Sequence, residues 1–190
     1  MEYISGRRFE NENFPENKLK PAEYEDCSFI NCDFSGSNLC RFQFMNTEFK
    51  DCNLSNVKLY DTIFQEVKMT NCKLLGLQFD TCDGLGFLVN FDNCVLNHSV
   101  FYQMRLKKVS FKNCQLQEVD FSEADLETTI ITNCDLLGAT FERTNLTKAD
   151  LRESSNYTID PDGNNIRGAR FSLPEVLRLL DKYRIEIEHY

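Results

Sequence analysis

The chain has 190 residues, enough for one domain with a sizeable hydrophobic core, and its formal net charge is -9. This acidic balance disfavours direct binding to nucleic acid or to an acidic membrane surface, because neutralising phosphate requires an excess of lysine and arginine. The N-terminus has no apolar h-region, and no long uncharged apolar run occurs anywhere in the chain. We therefore expect a soluble cytoplasmic protein without a signal peptide or membrane span.

The first 23 residues show only a weak pattern. Apolar residues occur every five positions from Phe9 onward, but Pro15 and Pro21 interrupt the spacing. Terminal repeats of solenoids are usually atypical. We predict an irregular N-terminal cap over residues 1–23.

A strict five-residue rhythm then runs from Tyr24 to Leu151. Its apolar positions include Phe29, Phe34, Leu39 and Phe44, and it continues to the end of this segment with one change of phase. A helix returns to one face every 3.6 residues and a strand every 2.0, so a period of five indicates a repeat architecture. The residue two before each apolar position is small or apolar, and the other three are mostly polar. Two inward and three outward positions per five predict a ribbon that turns a corner after each repeat.

A longer period of 20 residues lies over the shorter one. It is seen in two sets of three cysteines, Cys32, Cys52 and Cys72, and Cys94, Cys114 and Cys134. An Asn or Asp precedes each of them, and Phe residues recur at the same spacing. Four repeats therefore make one four-sided coil, and residues 20 apart should stack in columns. The Asn column is expected at a corner, since Asn tolerates unusual backbone angles.

The nine cysteines are best interpreted as small buried packing residues. No CxxC pair is present, and only two histidines could join them, so a zinc site is disfavoured. Cys40 falls in an outward position and is expected to be a free thiol.

The phase of the rhythm changes once, because Phe79 and Phe91 are twelve residues apart instead of ten. Gly84 and Gly86 supply backbone freedom in this stretch. We predict a small bulge at 83–88 that absorbs two residues, with the columns returning to register beyond it.

The C-terminal part departs from the pattern. Residues 152–171 are predicted to form a turn and a last partial coil. Ser172 to Glu175 has the pattern of a capping box with proline near the helix start. It predicts an amphipathic α-helix to about Tyr183 within a C-terminal segment, 172–190. Its apolar face contains Leu173, Val176, Leu177 and Leu180.

The repeats Cys114-Gln115-Leu116-Gln117-Glu118 and Ala124-Asp125-Leu126-Glu127-Thr128 resemble the pentapeptide-repeat family. The resemblance implies an all-β fold, a right-handed quadrilateral parallel β-helix, here with a short C-terminal α-helix. The chain is most similar to the quinolone-resistance (Qnr-type) and topoisomerase-immunity members. That likeness implies an acidic rod that mimics duplex DNA and binds DNA gyrase or topoisomerase IV. It also implies a homodimer joined through the C-terminal helix, by Leu173, Val176, Leu177 and Leu180.

Uniform mimicry of DNA is not supported by the charge of the chain. Duplex DNA carries one charge per about 1.7 Å, so a coil rising about 4.8 Å would need roughly three. A net charge of -9 spread over the coils gives far fewer. Any partner-binding charge must therefore be concentrated, and the candidates are acidic residues in two stretches poor in lysine and arginine. They are Asp80, Asp83, Asp92, Glu118, Asp120, Glu123, Asp125 and Glu127.

An enzyme and a general interaction scaffold are the two other classes of function. No nucleophile with a base, metal cluster or phosphate-binding loop is evident, so the sequence predicts neither catalysis nor a cofactor. A general interaction scaffold with an unidentified partner stays open as the alternative, and the acidic residues would then only form a solvated surface. Lys107 and Glu127 are 20 residues apart, so under this alternative we expect them only to form an ion pair between adjacent coils.

Overall fold

The computed structural model describes residues 2–188, and in it the chain winds into a parallel solenoid. Strands pair with the strand one coil away, so that Phe9 lies beside Phe29 and Phe111 beside Ile131. The offset is the 20 residues expected from the cysteine spacing. The all-β parallel solenoid predicted from the repeats is thereby confirmed.

Each coil has four sides, which we number in chain order. The first side contains β1 (Glu2–Ser5), β3 (Ala22–Glu25), β5 (Gln43–Met45) and β7 (Ile63–Gln65). The second side is a seven-stranded parallel sheet made of β2 (Arg8–Glu10), β4 (Ser28–Ile30), β6 (Glu48–Lys50), β8 (Val67–Thr70), β9 (Val89–Asp92), β10 (Ser110–Lys112) and β11 (Ile130–Thr132). The third side is a column of single bridges from Asn13 to Ser155. The fourth side has bridges joining Asn38 to Lys58, and Gln78 through Val100 and Asp120 to Thr140.

The corners use left-handed backbone conformations. The corner between the second and third sides has φ of 52° at Asn31, 56° at Asp51 and 56° at Asn113. L-residues rarely adopt this conformation, and Asn and Asp tolerate it best. The side chains also bond along the axis: Asn133 Nδ2 donates to Asn113 Oδ1 at 2.8 Å. The predicted Asn column at a corner is confirmed.

The core consists of side-chain columns parallel to the axis. Phe91 and Phe111 are stacked with ring centroids 5.0 Å apart, and Phe101 and Phe121 with centroids 5.4 Å apart. Rings of adjacent sides meet edge to face, as Phe111 and Phe121 do at 5.8 Å. Offset stacks and edge contacts are the favourable aromatic arrangements. The Phe columns predicted from the 20-residue period are confirmed.

Buried hydroxyl and thiol groups follow a common hydrogen-bonding rule. Thr129 Oγ1 donates to the carbonyl of Leu106 at 2.8 Å, and Ser154 Oγ to that of Ile131 at 2.8 Å. In each case the acceptor lies 23 residues earlier, on the previous coil. Cys134 does the same toward Phe111 at 3.5 Å, and burial raises the pKa of the Cys32 thiol. These cysteines are therefore packing residues, as the sequence indicated.

The N-terminal segment contains more regular structure than the irregular cap predicted for 1–23. Strands β1 and β2 pair in register with β3 and β4, so the first coil begins at Glu2. Only residues 14–21 leave the ladder. The first coil contacts a neighbour on one face only, which relaxes its apolar pattern while its backbone still pairs.

The two surplus residues are absorbed on one side of the solenoid. After a 3-10 helix at Phe79–Thr81, a turn carries Leu85, whose side chain is 85% exposed. Strand β8 then pairs with β9 at an offset of 22 residues, with Met69 beside Phe91. The columns continue in register beyond this turn.

The C-terminal helix is a 3-10 helix, Glu175–Tyr183, instead of the predicted α-helix. Ser172 and Glu175 do not form the predicted capping box. Ser172 Oγ accepts from the backbone N–H of Glu153 at 3.2 Å, and Glu175 Oε2 from that of Asn156 at 3.1 Å. Because both side chains satisfy N–H groups at the end of the solenoid, they are not available to cap their own helix.

Candidate protein-interaction surface

The solenoid separates the predicted acidic residues onto different sides. Asp80 and Asp120 lie on the fourth side, with Glu118 and Glu123 at its two corners. Asp83 begins the exposed turn beside this side, and its Oδ1 accepts from the N–H of Leu85 at 2.8 Å. The structure therefore brings these five residues to one side.

The other three predicted residues lie elsewhere. Asp92 ends β9 on the second side and accepts from Asn113 Nδ2 at 2.7 Å. Asp125 and Glu127 are on the first side, where Lys107 Nζ lies 3.3 Å from one carboxylate and 2.6 Å from the other. Asp125 and Glu127 lie one corner beyond the fourth side, and Asp92 lies two corners beyond it. The structure therefore does not bring these three residues to the same side as the other five.

Several carboxylates of the fourth side have cationic or basic partners. Glu118 lies 3.1 Å from Nδ1 of His98, and Glu123 forms an ion pair with Arg143. Hydrogen bonds from Gln103 and Arg143 lower the pKa of Glu123. Exposed pairs of this kind contribute little to stability. Arg143 nevertheless neutralises the charge of Glu123 at one of the two corners.

The middle of the fourth side carries carboxylates that are not paired with cations, unlike those at its corners. Among residues 2–188, no Lys, Arg or His lies within salt-bridge distance of Asp80, Asp120 or Glu142, whereas the neighbouring corner acids are paired. Partial burial, with a smaller contribution from the charge of Asp120, raises the pKa of Asp80. Repulsion between the carboxylates of Asp80 and Asp120 thus contributes to this shift, which indicates a local excess of negative charge.

Exposed aromatic rings share this side. Tyr60 is 58% exposed and Tyr102 is 39% exposed. Both follow the central apolar residue of their repeat, as Asp80 and Glu142 do in other coils. Tyrosine and aspartate in one column form a surface with both contact area and charge.

Residues outside the predicted set complete this acidic side. They are Asp61, Glu142, Asp160 and Asp162. Counting by 20 from Asp120 leads to Asp160, and counting from Asp80 with the two surplus residues allowed for leads to Glu142 and Asp162. Asp61 lies 22 residues before Asp83, about one coil earlier. Reading runs of acidic sequence did not find these residues. We call Tyr60, Asp80, Tyr102, Asp120 and Glu142 the acidic patch.

The predicted dimerisation residues are only partly exposed to solvent. Leu173 is 78% exposed, while Val176, Leu177 and Leu180 are half-buried. Leu179, which was not predicted, is the leucine of this helix that packs against the core. Lys182 forms ion pairs with Asp160 and Asp162 and holds the end of the helix to the last coil.

Within residues 2–188, no group of three or more His, Cys, Asp and Glu side chains could hold a metal ion. No helix in the same range is long and apolar enough to cross a bilayer. What the geometry defines is a rod with one acidic side, which is a repeat scaffold.

Comparison with known proteins identifies the family. A family model described as a pentapeptide repeat region matches residues 22–84 and 87–172. The chain therefore belongs to the pentapeptide-repeat family. The two unmatched residues between these segments, Leu85 and Gly86, fall in the exposed turn.

Solved structures support the same fold. A trypsin-treated form of QnrB1, a plasmid-mediated fluoroquinolone resistance protein, matches with a TM-score of 0.56 at 20% identity, covering 98% of this chain and 100% of that one. HetL, involved in heterocyst differentiation regulation in the cyanobacterium Nostoc sp. strain PCC 7120, matches with a TM-score of 0.65 at 16% identity, covering 90% and 86%. At these identities the matches establish the fold alone. No curated protein matches the sequence significantly.

Proposed function

We propose that this chain is a non-enzymatic interaction protein that binds a type II topoisomerase such as DNA gyrase through its acidic patch. The observation that carries the proposal is the set of carboxylates without cationic partners, Asp80, Asp120 and Glu142, on one side of the rod. Such a side gives the rod a local excess of negative charge, which is complementary to a basic groove on a partner. The likeness in fold to a fluoroquinolone resistance protein is a further support for the proposal.

The shape of the patch fits a basic groove. Successive coils are separated by about the strand spacing of 4.8 Å, so Asp80 and Glu142 lie three coils apart in one column, and Asp120 lies in the neighbouring column between them. A groove that binds duplex DNA presents cations along a similar line. Tyr60 and Tyr102 add contact area that a purely electrostatic surface lacks.

A gyrase supercoiling assay with and without a fluoroquinolone tests the proposal. We expect the purified protein either to inhibit supercoiling or to restore it in the poisoned enzyme. The variant Asp80→Asn/Asp120→Asn/Glu142→Gln should lose most of this effect. A control, Glu10→Gln/Glu48→Gln/Asp92→Asn, changes the same charge on the second side and should keep it. Equal effects from both variants, or none from the native protein, would favour a general scaffold with another partner.

We also propose that the C-terminal helix joins two copies of the chain. Leu173 is largely exposed, and Val176, Leu177 and Leu180 are not fully covered by the last coil. Leu177→Asp/Leu180→Asp should then give a monomeric mass in light scattering. Leu137→Asp, which changes an exposed leucine on the third side, should leave the dimer intact. A dimeric mass for the helix variant would place the interface elsewhere.

A further inference from the structure

A cavity of about 600 Å³ lies at the first coil, away from the acidic patch. It opens where residues 14–21 leave the ladder, and the second coil forms its other wall. Its apolar surface comes from Phe14, Leu19, Leu39 and Phe42. The volume is within the range of small-molecule sites, and the lining is mostly apolar, as such sites usually are.

The cavity exists because the first coil lacks a fourth-side bridge. Asn38 pairs with Lys58 on the coil after it, but within residues 2–188 no bridge joins it to Lys18 on the coil before. The last hydrogen bond between the first and second coils before this segment runs from the N–H of Phe14 to the carbonyl of Asp33, at 2.9 Å. Pro15 and Pro21 bracket the segment, and neither has an N–H to donate. The segment is held at its far end by the Tyr24 hydroxyl, which donates to the carbonyl of Lys20 at 2.7 Å.

One buried polar group at this cavity has no partner. Ser37 lines the cavity, and its Oγ is buried without a hydrogen bond. By the rule that Thr129 and Ser154 obey, its acceptor would be the carbonyl 23 residues earlier, that of Phe14. This bond does not form where the first coil departs from the ladder. A buried hydroxyl without a partner costs free energy, so a ligand that bonds it would be stabilised.

The charge at the cavity is opposite to that of the protein. Lys18 and Lys20 line it, and no Asp or Glu does. Among residues 2–188, neither lysine has a carboxylate within salt-bridge distance, whereas Lys107 and Lys182 are paired. Two free cations beside an apolar cavity are complementary to an anion with an apolar body.

We propose that this cavity binds a small apolar monocarboxylate, such as the anion of a medium-chain fatty acid. The apolar chain lies against Phe14, Leu39 and Phe42. The carboxylate faces Lys18 and Lys20 and accepts from the Ser37 hydroxyl. Burial of the ligand's apolar chain supplies most of the affinity. The two lysines contribute mainly to selectivity, because they favour an anionic ligand over an uncharged one.

Isothermal titration calorimetry with octanoate tests the proposal. Octanol is the uncharged control of equal length, and acetate is the anion without an apolar chain. We expect saturable one-site binding of octanoate, at least tenfold tighter than that of octanol or acetate. Lys18→Gln/Lys20→Gln should weaken octanoate at least tenfold, and Lys50→Gln/Lys68→Gln on the second side should not.

A further variant isolates the hydroxyl. Ser37→Val removes it while keeping a small side chain, and Val57 occupies the corresponding position one coil later. We expect severalfold weaker octanoate binding with no fall in the melting temperature of the ligand-free protein. Failure of octanoate to bind, equal binding of octanol, or an unchanged affinity in the lysine variant would overturn the proposal.

Discussion

The second and fourth sides of the solenoid are built from the same five-residue repeat but differ in regularity. The second side is one parallel sheet from β2 to β11, and the surplus residues at the turn shift its offset without breaking it. The fourth side is interrupted at both ends and in the middle, by residues 14–21, by Phe79–Thr81 and by the turn after Asp160. The acidic patch and the cavity both lie on the interrupted side.

This difference shows how a repeat protein can separate stability from binding. An unbroken ladder with stacked rings makes the second side cooperative, because each coil supports the next. The fourth side is relieved of part of that role, so loops and unpaired charges are tolerated there. Variants matched across the two sides test this division of roles.

The largest effect is expected from Phe111→Ala on the second side. It removes a fully buried ring from the middle of a stack and should cost about 3–5 kcal/mol in the free energy of unfolding. Phe14→Ala at the edge of the cavity should cost clearly less, because the open space there lets the site relax. Urea titrations of both variants measure the difference. Equal losses would mean that the two sides are equally well packed.

A smaller effect is expected from the buried hydroxyls. Thr129→Val removes the hydroxyl bond to the Leu106 carbonyl, which keeps its bond from the N–H of Val109, and should cost about 0.5–1.5 kcal/mol. Ser37→Val should not destabilise the chain and should stabilise it slightly, since it removes a buried hydroxyl that makes no bond. Thermal melts in the absence of ligand compare the two. A loss of similar size for Ser37→Val would show that its hydroxyl is bonded in solution.

Docking of the C-terminal helix should depend on pH. Hydrogen bonds from Lys182 lower the pKa of Asp160 and of Asp162 in the folded chain. A lowered carboxyl pKa stabilises the docked state above the unfolded value of about 3.9, and this stabilisation disappears as the pH falls through the folded value. Methyl NMR signals of Leu179 should therefore shift toward those of an undocked helix in acid.

A control identifies the groups responsible for this pH dependence. Lys182→Gln removes the cation and should largely abolish the shift between neutral and acidic pH. If the variant keeps the full response, other carboxylates hold the helix.

The smallest effect is expected from Asp80→Asn on the acidic patch. Partial burial, together with the charge of Asp120, raises the pKa of Asp80, so its ionised form is disfavoured in the folded chain. The group therefore destabilises the protein above its folded pKa and has no such effect below the unfolded value. Asp80→Asn should raise the melting temperature at pH 7 by about 1 °C, and not at pH 3. Asp92→Asn on the second side keeps an oxygen that accepts from Asn113 Nδ2 but removes the charge that strengthens this bond, and it should lower the melting temperature slightly instead.

The sequence predicted the interior far better than the surface. A period of five places Phe91, Phe101 and Phe111 inward on any four-sided coil, because steric packing repeats with the backbone. The same count placed the Asn column at a corner, where only a few residue types adopt the required φ. Both features depend on local geometry that repeats along the chain.

The surface was harder to predict because neighbours in sequence can face different directions. Asp120 and Asp125 are one repeat apart but lie on adjacent sides, whereas Asp120 and Glu142 lie one coil apart on the same side. Pairing with Lys107 further neutralised Asp125. Ser172 and Glu175 gave a helix-capping pattern, yet they bond the free N–H groups of the last coil. A capping side chain accepts from whichever unpaired donor is nearest, which a sequence pattern does not reveal.

The exposed turn has a consequence for engineering the molecule. It is anchored on both flanks, by the N–H of Asp83 to the carbonyl of Thr62 at 3.0 Å and by the N–H of Leu88 to that of Phe64 at 3.0 Å. Extra length placed between these anchors projects outward and does not propagate into later coils. A short peptide tag or fluorophore site inserted at Leu85 would thus give a label whose distance to either end of the rod is fixed by counting coils.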